Sequence, residues 1–290
     1  MSMVKFIIGT ANFGQSYGLS KFKVKKKELK KILNNSQKKN IKFLDTAIDY
    51  NITNNYIKSI NLSNFNIITK IKLPTFQKKK FIDSVPNLII KEMRKFRVKK
   101  ISGLLIHNLE DLRSKIYGKA FLKKILELKK EKIVSKVGVS IYEPRDLSLI
   151  FSTFVPDIIQ IPISIFDQRF LKKNFLKKLS KRNIAIHARS IFLQGLLLKN
   201  PKQIKKLKIN NLLKEKIIYF NSWCESKKIT PLEASINFIK KNKQIDKIIL
   251  GIDSNIQLND VIKAYYKKIN IENFDIFSVE NKFLIDPRRW

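Results

Sequence analysis

The segment FLDTAIDY, residues 43–50, decides the fold because it joins a short apolar strand to a polar turn. The segment begins at Phe43 with strand-forming residues, and Asp45, Asp49 and Tyr50 follow where the strand runs out. Acids are scarce in this chain, with 23 Asp and Glu among 290 residues. Two of them beside a tyrosine at a strand end therefore predict a site built where strands finish.

The same alternation of short apolar segments and longer amphipathic segments runs through the whole chain. Eight candidate strands follow from it: Phe6–Ala11, Phe43–Ala47, Ile67–Ile71, Gly103–His107, Lys136–Ser140, Ile158–Pro162, Ile184–Ala188 and Ile248–Gly251. Strand followed by helix, repeated eight times, predicts an α/β fold of the (β/α)8 TIM barrel type. A doubly wound open sheet is the alternative.

One continuous domain over residues 1–290 is predicted, because no linker rich in Pro or Gly divides the chain. Residues 267–290 are interpreted as a C-terminal extension that packs on the barrel. The stretch 191–230 is longer than one helix needs, so a functional loop after the seventh strand and one or two helices are expected there.

The chain carries 60 Lys and Arg against 23 Asp and Glu, a net charge of +37. Such a charge raises nucleic acid or an anionic membrane as partners. The lysines are spread over the full length rather than gathered in one tail, which favours solvated helix faces and predicts no dedicated nucleic-acid partner. An anionic small substrate or cofactor would gain from the same field.

The cysteine and histidine content limits the possible chemistry. One cysteine, Cys224, excludes a disulfide framework, and with two histidines a dedicated zinc site is not expected, so no metal is predicted. Cys224 is interpreted as a packed thiol and His187 as a structural residue. No signal-peptide pattern and no apolar run of roughly 18 residues occurs, which predicts a cytoplasmic protein outside the membrane.

Four titratable side chains fall at the carboxyl ends of three successive predicted strands: Asp45, Tyr50, Lys70 and His107. Singly, each has a structural interpretation, such as a helix cap for Asp45 or a solvated cation for Lys70. Together they suit proton delivery to a carbonyl oxygen. A buried ammonium stabilises a phenolate, a carboxylate keeps that ammonium charged, and an imidazole orients the oxygen.

At this point the chain resembles the aldo-keto reductase family. The motifs that carry the resemblance, in the family's order, are GTANFGQSYG (9–18), FLDTAIDY (43–50), ITK (68–70), GLLIHN (103–108), VGVSIY (137–142), QIPISIFDQRF (160–170), HARSIFLQGLLL (187–198) and GIDSNIQL (251–258). FDQRF with HARSIFLQGLLL further resembles a bacterial branch associated with sugar metabolism. The resemblance implies an NAD(P)H-dependent oxidoreductase that reduces an aldehyde or ketone, with Asp45, Tyr50, Lys70 and His107 as catalytic residues.

The resemblance also implies which residues hold the cofactor. They are Gly9, Thr10, Ser140, Gln160, Arg189, Ser190, Gln194, Gly195, Gly251, Asp253, Ser254 and Gln257. Ser140 and Gln160 correspond to the positions that hold the nicotinamide amide, although Ile141 stands where the family usually has Asn. Arg189 replaces a tyrosine that stacks on the nicotinamide, and stacking, a phosphate contact and a salt bridge at the barrel rim remain alternatives for it.

The cofactor is expected to be NADP(H) by resemblance, with NAD(H) possible from the residues. Asp253 falls where the family binds the adenosine 2′-phosphate, and a carboxylate there suits a free ribose hydroxyl better than a phosphate. A second hypothesis is a cofactor-binding regulatory or scaffold barrel with little turnover. The expected partner is a small-molecule carbonyl substrate, and a sugar or another anionic metabolite is included in this class.

Two residues beside Tyr50 depart from the family pattern. Asn51 stands where the family often has Gly, and it keeps the turn if it adopts a left-handed conformation. Asp49 is expected to face water, and the alternative is that it lines the substrate entrance.

Overall fold

The computed structural model describes residues 5–14, 18, 23–50, 54–57, 60–270 and 273–289. Within them, eight parallel strands close into a barrel in sequence order, with β8 returning to β1. The strands are β1 Phe6–Gly9, β2 Phe43–Asp45, β3 Asn66–Ile71, β4 Gly103–Ile106, β5 Val137–Ser140, β6 Ile158–Pro162, β7 Ala185–Arg189 and β8 Lys247–Gly251. The predicted (β/α)8 barrel is confirmed; the predicted strand Ile158–Pro162 matches β6, and the other seven differ by one or two residues at their ends.

Helices follow the strands around the outside of the barrel. The helices of the described ranges are α1 Lys26–Lys38, α2 Asn54–Ile57, α3 Lys78–Phe96, α4 Tyr117–Lys130, α5 Asp146–Thr153, α6 Phe175–Ser180, α7 Pro201–Lys205, α8 Asn211–Ser226, α9 Pro231–Lys241, α10 Asn255–Tyr266 and α11 Lys282–Ile285. In α1, Leu29, Ile32 and Leu33 are buried while lysines face solvent, as the sequence pattern predicts. None of these helices is long and apolar enough to cross a membrane.

Two layers of side chains inside the barrel differ in character. The lower one, here called the apolar layer, packs Ile7, Ile68, Leu105 and Ile158 against Phe43, Ala185 and Ile249. Side chains alternate along a strand, so the residues two positions further on point into the barrel as well. They include Asp45, Lys70, Gln160 and His187, all buried, and this set is called the polar layer. The polar layer is nearer to the carboxyl ends of the strands.

The turn after β2 is fixed by the neighbouring strand. Beyond the last residue of β2, the Thr46 N–H donates to Ile68 O and the Ile48 N–H donates to Lys70 O. The chain then turns back, with the Tyr50 N–H donating to Ala47 O at 3.0 Å. These bonds hold Tyr50 over the end of β3.

The carboxyl-terminal segment contacts the same end of the barrel. The Val279 N–H donates to Phe166 O at 2.9 Å, and Phe277 packs on Phe166 and Phe220. Near the last described residue, the Arg288 guanidinium lies 3.3 Å from the ring centroid of Tyr142, just beyond β5. The segment therefore forms part of one rim of the mouth.

Candidate active site

A buried ion pair occupies the centre of the polar layer. Lys70 Nζ donates to Asp45 Oδ1 at 2.5 Å and to Thr46 O at 2.7 Å. Lys70 is 2% exposed and Asp45 is 4% exposed, so the pair is shielded from water. A buried ammonium stays charged only beside a fixed anion. The sequence predicted this pairing, and the structure places the two residues in direct contact.

Tyr50 lies immediately above this pair. Lys70 Nζ is 5.3 Å from the ring centroid, and its described hydrogen bonds go to Asp45 and Thr46. Burial and the nearby Asp45 raise the pKa of Tyr50 well above its ordinary value of 10.0, while Arg189 opposes the rise. The phenol therefore keeps its proton at neutral pH.

His107 stands on the other side of Tyr50. The two ring centroids are 6.1 Å apart and the rings meet edge to face. His107 follows β4 directly. Its backbone N–H donates to Ile71 O at 2.8 Å, which fixes the position of His107 along β3. The four residues predicted as catalytic are thus gathered at one mouth of the barrel.

Asp49 differs from its expected position. Its Oδ2 is 2.7 Å from Lys72 Nζ and its Oδ1 is 3.4 Å from His107 Nδ1. The contacts with His107 and Lys72 hold the pKa of Asp49 well below its usual range. Although 36% of its side chain remains exposed, it contacts a candidate catalytic group and does not merely face water.

The predicted nicotinamide positions lie on β5 and β6, with Ser140 as the last residue of β5 and Gln160 in the middle of β6. Ser140 pairs in register with Gln160, and both are buried. Gln160 Nε2 donates to Asp45 Oδ2 at 2.8 Å, so this amide also holds the carboxylate that pairs with Lys70. At the end of β1, the Thr10 N–H donates to Asp45 O, and Thr10 Oγ1 is a buried atom that no described group bonds.

The loop after β7 has an unusual backbone. Ser190, Leu193 and Gln194 have φ values of 60°, 45° and 55°, and Gly195 follows at 84°. Left-handed conformations of residues other than glycine are uncommon and gather at binding sites. Among the described residues, no atom lies within 4 Å of where a Cβ of Gly195 would be, apart from its chain neighbours.

Arg189 ends β7 and makes no salt bridge with the residues that the structure describes. Its guanidinium lies 4.2 Å from the ring centroid of Tyr142, and Nη2 donates to Ile141 O at 3.2 Å. It donates more weakly to Ser190 Oγ, at 3.4 Å. This cation is close enough to Tyr50 to oppose the rise of the Tyr50 pKa.

The turn after β8 leads into the amino terminus of α10. No atom of the described residues lies within 4 Å of the Cβ position of Gly251. Asp253 Oδ1 accepts from Asn12 Nδ2 at 2.6 Å, and the Asp253 N–H donates to Gln257 Oε1. Ser254 caps α10 by accepting from the Gln257 N–H. These contacts bring the turn after β8 against the turn after β1.

Comparison with known families agrees with this geometry. The sequence model of the Aldo/keto reductase family matches residues 5–278. The chain belongs to the aldo/keto reductase family. It is therefore an oxidoreductase, and the family supports chemistry on the carbonyl group of a small molecule.

Solved structures with the same fold include other aldo/keto reductases. A protein from Pseudomonas aeruginosa assigned to this family has a TM-score of 0.64 at 12% identity, with 91% of this chain and 90% of that chain covered. The glycerol dehydrogenase AKR11B4 from Gluconobacter oxydans has a TM-score of 0.67 at 16% identity, with 93% and 89% covered. At these identities the likeness shows the fold alone. A search of curated proteins gave no match.

Sequence reasoning missed several contacts of this aldo/keto reductase. The bond from Gln160 to Asp45, the pairing of Asp49 with His107 and the stacking of Arg189 on Tyr142 were not foreseen. Each joins residues from different strands or loops, and local sequence carries no signal for them. Asn51 lies outside the described residues.

His187 and Cys224 are buried residues outside the four predicted catalytic ones. His187 is 5% exposed in the polar layer, as expected of a structural histidine, and its Nδ1 is bonded by no described group. Burial and nearby lysines lower the pKa of His187 to about 3. Cys224 is buried, and burial raises the pKa of its thiol to about 12, which suits a packed thiol rather than a nucleophile.

Proposed function

We propose that this aldo/keto reductase uses NAD(P)H to reduce an aldehyde or ketone to an alcohol, with Tyr50 as the proton donor. The observation that carries the proposal is the buried Asp45–Lys70 pair directly beneath the protonated phenol. Bound nicotinamide cofactor would supply the hydride for the carbonyl carbon. The remaining steps concern the chain's own residues.

Tyr50 gives its proton to the carbonyl oxygen as negative charge develops there, and the oxygen becomes the alcohol hydroxyl. The phenolate left behind is buried, so it needs nearby positive charge. Lys70 and Arg189 supply it, and Asp45 keeps Lys70 charged. His107 lies across the mouth from Lys70 and orients the oxygen by a hydrogen bond.

The residues present fit a dinucleotide cofactor. Among the described residues, nothing fills the Cβ position of Gly195 in the loop after β7 or of Gly251 at the end of β8. Ser140 and Gln160 lie beside the catalytic group and would hold the nicotinamide amide. Arg189, which makes no described salt bridge, would stack on the ring or meet a phosphate. Ser190, Gln194 and Gly195 would cover the pyrophosphate.

Two carboxylates near the amino terminus of α10 support NADH over NADPH. Asp253 precedes the helix cap, and Glu28 Oε1 accepts from the Asn255 N–H at 2.7 Å. A helix amino terminus attracts anions, but here a carboxylate already occupies one of its N–H groups. A 2′-phosphate at this place would be repelled, whereas a ribose hydroxyl could donate to Asp253.

The charge around the mouth supports an anionic or sugar-derived substrate. Arg189 and Arg288 lie against the ring of Tyr142, at 4.2 and 3.3 Å from its centroid. Arg288 is paired with Asp286, whereas Arg189 is bonded only to neutral oxygens in the described residues. A substrate carboxylate or phosphate would be attracted to Arg189 next to the reacting carbonyl.

A substrate screen with both cofactors tests this function. Wild-type protein should oxidise NADH or NADPH with a panel of neutral and anionic aldehydes and ketones, and Tyr50→Phe should lose about 10²- to 10⁴-fold in kcat. Fluorescence titration should show the same cofactor Kd for both proteins, with NADH bound more tightly than NADPH. Unchanged turnover in Tyr50→Phe with cofactor bound would contradict the role of Tyr50.

A further inference from the structure

We propose that Asp49 is a positioning residue that fixes the proton on His107 Nδ1 and so determines whether Nε2 donates or accepts a hydrogen bond at the substrate oxygen. This inference rests on the proposed function, because His107 must face the substrate for the setting to matter. It concerns a residue outside the four predicted catalytic ones.

The two nitrogens of His107 have different surroundings. Nδ1 is buried and forms no hydrogen bond of good geometry with the described residues. Asp49 Oδ1 lies 3.4 Å from Nδ1, within ion-pair distance. The side chain as a whole is 20% exposed, so the exposed part of the ring lies away from Nδ1. A distance of 3.4 Å exceeds an ideal N–H···O bond, but contacts in empty catalytic sites often shorten when substrate binds.

Asp49 is held in place from the side opposite His107. Lys72 Nζ lies 2.7 Å from Asp49 Oδ2, which leaves Oδ1 directed toward His107. Lys72 lies just past the end of β3, two residues beyond Lys70. Lys72 pairs with Asp49, and Lys70 pairs with Asp45. Each carboxylate near Tyr50 therefore has a partner on β3 or its extension.

The charged and titratable groups that face His107 favour a proton on Nδ1. Asp49 is an acceptor and cannot donate when ionised. Burial raises the pKa of Asp111 and His107 opposes that rise, so Asp111 is a second carboxylate near His107, but its Oδ2 accepts from the Leu73 N–H at 2.7 Å. Tyr50 meets the imidazole ring edge to face. Asp49 is thus the carboxylate within ion-pair distance of Nδ1.

A proton held on Nδ1 has a direct chemical consequence. In the neutral imidazole one nitrogen donates and the other accepts, so Nε2 then carries a lone pair and accepts from an alcohol. Nε2 donates to a carbonyl oxygen only when the ring is an imidazolium. Carbonyl reduction is therefore favoured at the lower pH, and alcohol oxidation at the higher pH.

Nitrogen NMR of the two histidines tests the tautomer directly, because the chain has only His107 and His187. Protein labelled with ¹⁵N-histidine would be measured above the pH at which His107 becomes neutral, and His187→Gln would assign the signals. Wild type should show His107 protonated at Nδ1. Asp49→Leu should shift the proton to Nε2, the usual preference of a free imidazole.

Lys72→Leu is the matched control, because it removes the other member of the same ion pair and leaves the carboxylate beside His107. It should keep the proton on Nδ1. A wild-type His107 protonated at Nε2 when neutral would overturn the proposal. An equal change in Asp49→Leu and Lys72→Leu would overturn it as well, since the pairing rather than the carboxylate would then set the tautomer.

The pH dependence of kcat/KM is a second measurement, which a purely structural role of Asp49 in loop packing would not change. In wild type, kcat/KM for reduction should fall with rising pH, and this fall should be smaller in Asp49→Leu. An identical pH profile in the variant would contradict the proposal. Failure of the proposed function itself would look different, since wild type would then reduce no carbonyl at any pH while the NMR result still reported the tautomer.

Discussion

The apolar layer and the polar layer occupy neighbouring levels of the same barrel, yet they are stabilised in different ways. In the apolar layer each side chain contributes by its own burial, so neighbours can adjust when one is shortened. In the polar layer the groups satisfy one another, as Lys70 does for Asp45 and Gln160 does for Asp45. Loss of one side chain of the polar layer therefore leaves a buried partner without its hydrogen bond or counter-charge. The candidate catalytic residues lie in and above the layer where side chains depend on one another in this way.

The largest effect is expected when the buried pair is broken on one side. Lys70→Met leaves the Asp45 carboxylate buried without its cation, which should destabilise the protein by about 3–5 kcal/mol. Turnover of the folded fraction should fall by about 10²- to 10⁴-fold, because Tyr50 loses its adjacent positive charge. Urea unfolding and steady-state kinetics would measure the two effects.

A double variant separates these two effects. Asp45→Asn with Lys70→Met removes both charges and keeps an oxygen for Gln160 Nε2, so most of the lost stability should return. Activity should not return with it. Recovery of turnover together with stability would mean that the pair serves folding alone.

A cavity in the apolar layer should have a smaller and purely structural effect. Leu105 is completely buried two positions before His107. Leu105→Ala should lower the free energy of unfolding by about 3 kcal/mol. The kcat of the folded protein should stay within about twofold of wild type, since the polar layer keeps its own contacts. A hundredfold loss of kcat would show that the two layers are not independent.

The smallest expected effect is the acid sensitivity of His187. Its pKa is about 3 in the folded protein against an ordinary value of 6.5, so the unfolded chain takes up the proton first and stability falls as the pH drops from 6.5 toward 3. At pH 5 this histidine should cost about 2 kcal/mol. His187→Gln removes the titration, so its stability difference from wild type should shift in favour of the variant by that amount between pH 7 and pH 5. A pH-independent difference would contradict the buried neutral state.

Much of the fold could be predicted from the sequence because strand and helix periods are local. The strand from Ile158 to Pro162 was predicted to the residue, and the others differ at their ends, where pairing with a neighbour decides the last residue. The encounter of Asp45 with Lys70 was also predictable, since equivalent positions on adjacent barrel strands meet at one face.

Contacts between loops could not be predicted in the same way. Asp49 turns toward His107 because the loop after β2 is bonded to β3 by Ile48 and because Lys72 lies beside it. Arg288 reaches Tyr142 through a segment that is more than a hundred residues away in sequence. Neither arrangement has a periodic signal, so only the folded chain reveals it.

We propose that Tyr50 and the Asp45–Lys70 pair beneath it act as one proton-delivery unit. The most direct measurement is the single-turnover rate of carbonyl reduction for Tyr50→Phe, for the neutral pair Asp45→Asn with Lys70→Met, and for the triple variant that combines them. Residues that act as a unit show non-additive losses, so the triple variant should be slower than the worse of the other two by no more than about threefold. A loss equal to the product of the two separate losses would contradict the claim.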